Sequence, residues 1–258
     1  MRVGFVEWPE GLEPQGPDWS RIAALVAGAR IDLLVTNELP FGSWIAAERS
    51  FIRRTAQASV DVHNAGLACL CELEVPAVLS SRPVWSDGRL ANEAFVTESG
   101  KTRRLHRKQY FPSEPGWFET SWYSPGRDRF KAAAVSGLCT GVLLCTDAMF
   151  NEHARHYGRQ GTDLIAIPRT TGISTENWLA AGKMAAIVSG SYVVSSNRVG
   201  IAPADVTFGG GGFAYRPDGS LLAVTSSAEP LMVVDVEPGL SARQRATYPC
   251  YVVDPDWR

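Results

Sequence analysis

This sequence predicts an alternating α/β chain folded as one domain over residues 1–258, and three observations carry that prediction. Short apolar runs of strand type, such as Ile31 to Val35 and Gly141 to Cys145, alternate with segments whose apolar residues recur at helical spacing. No linker-like, low-complexity or repeated stretch divides the chain. A hydrophobic content of 45% with 20% charged residues suffices to bury a full core at this length. Strands and helices in alternation imply layered packing.

In order, Arg2 to Trp8 reads as a strand, followed by a helix that Asp18 caps and that sets Ile22, Leu25, Val26 and Ala29 on one face. Ile31 to Thr36 is the second strand. Ala46 to Asn64 is a helix with Phe51, Ile52, Ala56 and Val60 inward, and Gly66 to Val75 returns as a strand carrying Cys69 and Cys71 as core residues on one side. Val84 to His106 reads as a hairpin turning at Glu98-Ser99-Gly100-Lys101, and Phe130 to Cys145 supplies two strands. Then come a helix at Asn151 to Gln160, a strand at Asp163 to Pro168, a helix at Thr175 to Ser189 and a strand at Tyr192 to Asn197. A hairpin from Gly211 to Thr225, entered through the glycine-rich turn Gly209 to Gly212, precedes a strand at Leu231 to Val236 and an irregular tail.

Composition narrows the function classes. A net charge of −2 supplies no field for nucleic acid, and the cluster Lys101, Arg103, Arg104, His106, Arg107 and Lys108 reads as the solvated face of a hairpin strand. No apolar run approaches the roughly 18 residues of a membrane span, and the N-terminus enters a strand pattern without the apolar core of a signal peptide. Five cysteines, an odd number without paired CxxC spacing, suit a reducing cytoplasm. His153 and His156 lack both the HExxH order and a third ligand, and Gly209 to Gly212 lacks the Gly-Lys-Ser/Thr of a phosphate loop, so no metal or other cofactor is expected.

Chemistry enters at Gly141 to Glu152, GVLLCTDAMFNE. Here an apolar run ends on Cys145 and turns through Thr146 and Asp147 into a helical segment. The carboxyl end of a buried strand is where open α/β sheets place reacting groups and where backbone N–H groups can face developing negative charge. A buried structural cysteine has the same local pattern. Two more strand ends break the tie: Asn37-Glu38-Leu39-Pro40-Phe41-Gly42 closes one apolar run, and Arg107-Lys108-Gln109-Tyr110-Phe111-Pro112 closes a third extended segment. Three strand ends thus carry a carboxylate, an ammonium and a thiol.

In these three motifs the chain resembles the nitrilase superfamily of carbon-nitrogen hydrolases, whose Glu, Lys, Cys triad follows that order. DLLVTNELPFG, HRKQYFP and LLCTDAMFNE match its motifs at Glu38, Lys108 and Cys145, and similarity continues through Gly161 to Pro168, Asn197-Arg198 and FGGGGFAYRPDG. Asn37, Thr146 and Asn151 replace the family's usual Pro, Tyr and Pro without removing a catalytic side chain. The resemblance implies a four-layer α-β-β-α sandwich, commonly assembled as a homodimer or higher homo-oligomer. It also implies a second glutamate, for which Glu119, eleven positions past Lys108, is preferred over Glu114.

A free thiol, with a pKa of about 8.5, is largely protonated at neutral pH, so attack on an amide carbonyl needs a base. In the implied roles Glu38 takes the thiol proton, while Lys108 and the Thr146 N–H hold the oxyanion of the tetrahedral intermediate. Glu119 orients the substrate amide or Lys108. Cys-Thr-Asp at the nucleophile, in place of Cys-Trp-Glu, implies a small amide substrate rather than a nitrile. The loop Pro168-Arg169-Thr170-Thr171 and Trp117 are expected to border the pocket. Arg169 has two readings, a bidentate clamp on a substrate carboxylate or a residue facing solvent or a partner subunit. Trp117, Phe118, Trp122 and Tyr123 read either as an aromatic rim or as interface packing. The expected activity is amide hydrolysis through a cysteinyl thioester, with an N-carbamoyl amino acid hydrolase and a catalytically silent interaction scaffold as alternatives.

Overall fold

Apolar residues that alternate along strands decide the middle of the molecule. In the computed structural model, which describes residues 1–254, Val3, Phe5, Leu33, Val35, Leu79 and Val96 from one sheet meet Leu138, Val142, Leu164, Ala166, Tyr192 and Val194 from another in a dry core. Their intervening neighbours face the opposite way, as the period-two side-chain rule requires.

The strands in chain order are β1 (Arg2–Val6), β2 (Trp8–Pro9), β3 (Leu33–Val35), β4 (Ala77–Ser86), β5 (Arg89–Glu98), β6 (Lys101–Arg107), β7 (Ala133–Val135) and β8 (Leu138–Val142). They continue as β9 (Leu164–Pro168), β10 (Tyr192–Ser196), β11 (Arg198–Ala202), β12 (Val206–Gly209), β13 (Phe213–Tyr215), β14 (Leu221–Val224) and β15 (Leu231–Asp235). One six-stranded sheet runs β15-β1-β3-β4-β5-β6 and the other β14-β13-β10-β9-β8-β7, while β12-β11-β2 form a small third sheet. Within each large sheet three central strands are parallel, β1, β3 and β4 in one and β8, β9 and β10 in the other.

The helices are α1 (Pro17–Ala27), α2 (Arg53–Glu72), α3 (Glu119–Trp122), α4 (Asn151–Arg159), α5 (Glu176–Ser189) and α6 (Pro238–Arg245). Trp19, Ile22 and Val26 of α1 and Cys69 and Leu70 of α2 pack on Leu34 and Val78, the outer face of the first sheet. Ala154 and Tyr157 of α4 and Ala185 and Ala186 of α5 pack on Ile165, Ile167 and Val193 of the second. The layers are therefore helix, sheet, sheet, helix, the four-layer sandwich expected.

Four local expectations change. Residues 66–75 are not a strand, because α2 runs on to Glu72 and buries Ala56, Val60, His63, Gly66, Cys69 and Leu70 at helical spacing. The helix also begins late: Ile45–Ala47 forms a 3₁₀ turn and Ile52 is 50% exposed. Cys71 consequently faces solvent while Cys69 is buried. The strand placed there is instead β4, joined to β5 by Asp87-Gly88, whose φ values of 48° and 82° match a hairpin turn that Asp-Gly favours. In α1, Gly16 takes the N-cap position with Asp18 in the first turn, and Leu25 is exposed while Trp19 supplies the buried contact. The tail expected to be irregular contains α6.

The α4–α5 contact requires Gly158, because a Cβ there would lie 2.5 Å from the Ser189 carbonyl oxygen and 2.7 Å from its Cα. Gly158→Ala is expected to destabilise by about 1–3 kcal/mol, since overpacking against backbone outweighs the helix propensity gained. Gly28→Ala has the opposite expectation, up to about 1 kcal/mol of stabilisation, because Gly28 has φ of −73° and no neighbour within 3.6 Å of its added Cβ. Urea unfolding of the two variants measures both signs.

Candidate active site

Each of the three strand ends delivers one side chain to the same buried place. β3 leads into Glu38, β6 into Lys108, and the run after β8 into Cys145. Lys108 Nζ donates to Glu38 Oε1 at 2.8 Å and to Glu119 Oε2 at 2.6 Å. Glu38, Lys108 and Glu119 are at most 1% exposed, and Cys145 is buried as well. Glu114, the rival for the second glutamate, is exposed on the cavity rim and makes no such contact.

Asn92 on β5 completes the holding of Glu38, its Nδ2 donating to Oε1 at 2.7 Å. The other Glu38 oxygen, Oε2, is buried with no hydrogen-bond partner, and so is Glu119 Oε1. Sequence reasoning missed Asn92, although a buried amide within the apolar strand Leu90-Ala91-Asn92-Glu93-Ala94 is a readable signal. Thr170 also ties the motifs together: its hydroxyl donates to the Glu38 carbonyl at 2.8 Å, and its own carbonyl accepts the Cys145 thiol at 3.6 Å.

Cys145 has φ of +47°, a left-handed conformation rare for a residue with a side chain. Asp147 braces that turn. Its Oδ2 accepts from the Leu144 N–H at 3.2 Å and from His106 Nε2 at 2.9 Å, and its Oδ1 accepts from the N–H groups of Gln109 and Tyr110, both at 3.1 Å. The turn that carries Cys145 is thus tied to the segment that carries Lys108. His106 belongs to this brace and is buried, unlike its neighbours Lys101, Arg103 and Arg104, which form the solvated face expected of that strand.

Burial pushes the Cys145 thiol up, Glu38 adds to that shift and Lys108 opposes it, so the resting sulfur is protonated. Burial alone would lower Lys108, but Glu119 and Glu38 outweigh it and hold the ammonium charged, well above its usual range. Glu119 is raised from 4.5 to about 8, first by burial and against the pull of Lys108. Protonating it removes one carboxylate charge from beside the Lys108 ammonium.

A cavity of about 300 Å³ opens over this cluster. Glu119, Cys145, Thr146 and Thr170 reach its wall, with Trp117 and Trp178 on its sides. Glu38 and Lys108 lie behind that surface. A larger groove next door shares only Pro112 and Thr146 with it and holds no member of the charged cluster. Of the expected aromatic rim, Trp122 and Tyr123 are buried in a packed cluster instead. Arg169 does not line the cavity. It is fully buried and turned away, donating to Ser195 Oγ at 2.7 Å, Thr171 Oγ1 at 3.0 Å and the Gly211 carbonyl at 2.8 Å, with Phe213 and Trp178 against its guanidinium. No group of three or more His, Cys, Asp or Glu among the described residues is arranged to hold a metal ion, and no helix among them is long and apolar enough to cross a membrane.

The Glu119 shift has a sign that stability measurements can read. A carboxyl raised from 4.5 to about 8 keeps its proton in the folded chain where the unfolded chain has lost it. Its contribution is therefore full below pH 4.5 and is lost as pH rises through about 8. Glu119→Gln removes that loss, so the stability of the variant relative to the native chain should climb between these limits and then level off. A difference that is flat across the window in thermal melts would mean that Glu119 stays ionised throughout.

Comparison with known proteins bears on family and fold. A family model described as carbon-nitrogen hydrolase matches residues 14–246. An N-carbamoylputrescine amidase from Solanum tuberosum is 28% identical over 156 residues, 55% of this chain and 52% of the relative. The chain thus spans about half the length of the first curated relatives it matches. In three dimensions it resembles a carbon-nitrogen hydrolase from Helicobacter pylori G27, with a TM-score of 0.83, 20% identity and coverage of 97% of this chain and 94% of that one. A glutamate mutant of the amidase from Nesterenkonia sp. AN1, described as showing covalent addition of the acetamide moiety of fluoroacetamide at the active-site cysteine, superposes with a TM-score of 0.76 at 20% identity over 94% and 92% of the two chains. With nearly its whole length matched by the family model, the chain belongs to the carbon-nitrogen hydrolase family.

Proposed function

We propose that the chain is an amidase that hydrolyses a small carboxamide through a cysteinyl thioester. The observation that carries the reading is the convergence of Cys145, Glu38, Lys108 and Glu119 behind and along one cavity wall. In the first half-reaction the unpartnered Glu38 Oε2 takes the thiol proton as Cys145 Sγ bonds to the amide carbon. An ammonium has three donors, and Lys108 uses two on Glu38 and Glu119. The third, with the Thr146 N–H, holds the oxyanion. Glu38 returns its proton to the nitrogen, the carbon-nitrogen bond breaks, and ammonia leaves an acyl thioester. Water then gives a proton to Glu38 and its oxygen to the acyl carbon, the carbon-sulfur bond breaks, the proton returns to Cys145, and the carboxylic acid departs. Glu119, protonated near neutral pH, offers its free Oε1 side to the substrate amide.

A second reading, hydrolysis of an N-carbamoyl compound to carbon dioxide, ammonia and an amine, is favoured by the names of the first curated relatives. It uses the same side chains. Arg169, with its donors engaged elsewhere, offers no clamp for a substrate carboxylate. A silent scaffold has no use for a lysine buried between two carboxylates. We also infer a homo-oligomer in the cytoplasm. Exposed Ile201, Leu221, Tyr248 and Tyr251 supply apolar surface for self-association, and five free cysteines suit reducing conditions.

Ammonia release over a panel of amides, carbamoyl compounds and nitriles tests the chemistry. Cys145→Ala should abolish it along with labelling by an electrophilic amide. Lys108→Met should lower kcat/KM by about 10²–10³-fold, the usual loss for one oxyanion donor. Turnover that survives the loss of Cys145 would remove the thioester route.

A further inference from the structure

The residues that shape the cavity share a property unrelated to the reaction. Three segments form its wall, Pro112 to Thr120, Cys145 to Glu152 and Thr170 to Trp178, and none contains a lysine or arginine. Together they carry Glu114, Glu119, Asp147, Glu152 and Glu176. Asp147 is consumed by the brace under Cys145, and Glu119 faces Lys108. That leaves Glu114 as the one exposed charge among the described residues that lines the cavity.

Its place there is fixed by backbone. Glu114 and Trp117 exchange hydrogen bonds, Glu114 N to Trp117 O at 3.3 Å and Trp117 N to Glu114 O at 2.8 Å, so carboxylate and indole are presented by the same tight turn. Among the described residues Glu114 has no ion-pair partner within 4.0 Å. Trp178 also lines the cavity, but the Arg169 guanidinium already lies 5.4 Å from its ring centroid, which leaves Trp117 as the indole open to a ligand cation. The shallow groove beside the mouth shares Trp117 and Gly172 with the cavity and contributes Asp205, again with no basic residue. The cation nearest this surface in sequence, Arg169, is buried behind it against Trp178, with its donors engaged by Ser195, Thr171 and Gly211.

A carboxylate presented beside the Trp117 indole, on a cavity wall with no lysine or arginine among its lining residues, attracts an ammonium or guanidinium by charge and by the negative face of that ring. It repels a carboxylate tail. We propose that Glu114 sets the substrate class of this enzyme: small amides or carbamoyl compounds whose far end carries a positive charge, held at the mouth against Glu114 and Trp117 while the amide reaches Cys145. At about 300 Å³ the cavity sits at the small end of ligand sites, which suits a short tail. The selectivity rests on the amide chemistry proposed above, and Glu114 acts on the ratio between substrates rather than on the reacting atoms.

Matched amides with two to five methylenes and an ammonium, methyl or carboxylate end test this, alongside alkylation of Cys145 by haloacetamides bearing the same three ends, followed by intact mass. The native chain should prefer the ammonium series over the methyl series by about five- to tenfold in kcat/KM or in alkylation rate, the range of one partly exposed ion pair with a cation–π contact. Glu114→Gln should erase most of that preference, Glu114→Lys should turn it toward the carboxylate series, and added salt should shrink it in the native chain. Equal or better use of the methyl series, or a preference that Glu114→Gln leaves in place, overturns the role of Glu114 while leaving the amidase reading intact. If no amide is turned over and no haloacetamide labels Cys145, the amidase reading falls and the selectivity falls with it.

Discussion

Everything at the centre of this molecule is arranged around an ammonium group without access to water. Lys108 Nζ sits fully buried between Glu38 and Glu119. Desolvating such a charge costs several kcal/mol, and only close, well-directed carboxylates return it. Two carboxylates around one ammonium overshoot, because ionising both leaves an excess negative charge in a dry site. The raised proton affinity of Glu119 resolves the excess, keeping one carboxyl neutral near physiological pH. The pair of glutamates is thereby divided into unequal roles by environment: Glu38 is pinned on one oxygen by Lys108 and Asn92 and open on the other, while Glu119 holds a proton.

That cluster demands backbone held in conformations the chain would not choose. Cys145 and Leu39, the latter next to Glu38, have φ of +47° and +48°. Left-handed backbone of this kind in residues with side chains costs on the order of 1–3 kcal/mol each and persists only where the surroundings fix it. At Cys145 the fixing comes from Asp147, whose carboxylate gathers three backbone N–H groups and His106. At Leu39 it comes from Arg198, whose guanidinium reaches the Leu39 and Gly42 carbonyls while pairing with Glu10, and from Ser81, which accepts the Leu39 N–H at 2.8 Å. Both turns follow parallel strands packed in the same sandwich, so the two sheets set the distance between Glu38 and Cys145.

Which parts of this were legible in the sequence follows from range of interaction. Strand ends at Glu38, Lys108 and Cys145 could be read because each is announced by local apolar runs, and the order of the three residue types narrowed the chemistry. The brace through His106 could not, because nothing in a basic, alternating strand distinguishes the one residue that meets Asp147 forty-one positions away. Arg169 misled for a related reason: its position beside the pocket was right, but its direction depends on Ser195, Gly211 and Phe213 from other strands. The strand expected over residues 66–75 failed where apolar spacing fits both periods, and the length of α2 decided for helix.

The displacement of Arg169 changes what the site can accept. A guanidinium at the wall would have given the cavity a positive floor next to Cys145 and suited anionic tails. Turned inward, its donors engaged by Ser195, Thr171 and Gly211, it instead stiffens the loop whose Thr170 touches both Glu38 and the thiol. The wall is left with neutral hydroxyls, indoles and acids. Charge selection therefore passes from the interior of the site to its mouth, where water screens it and where it can distinguish substrates without disturbing the balance that keeps Lys108 charged.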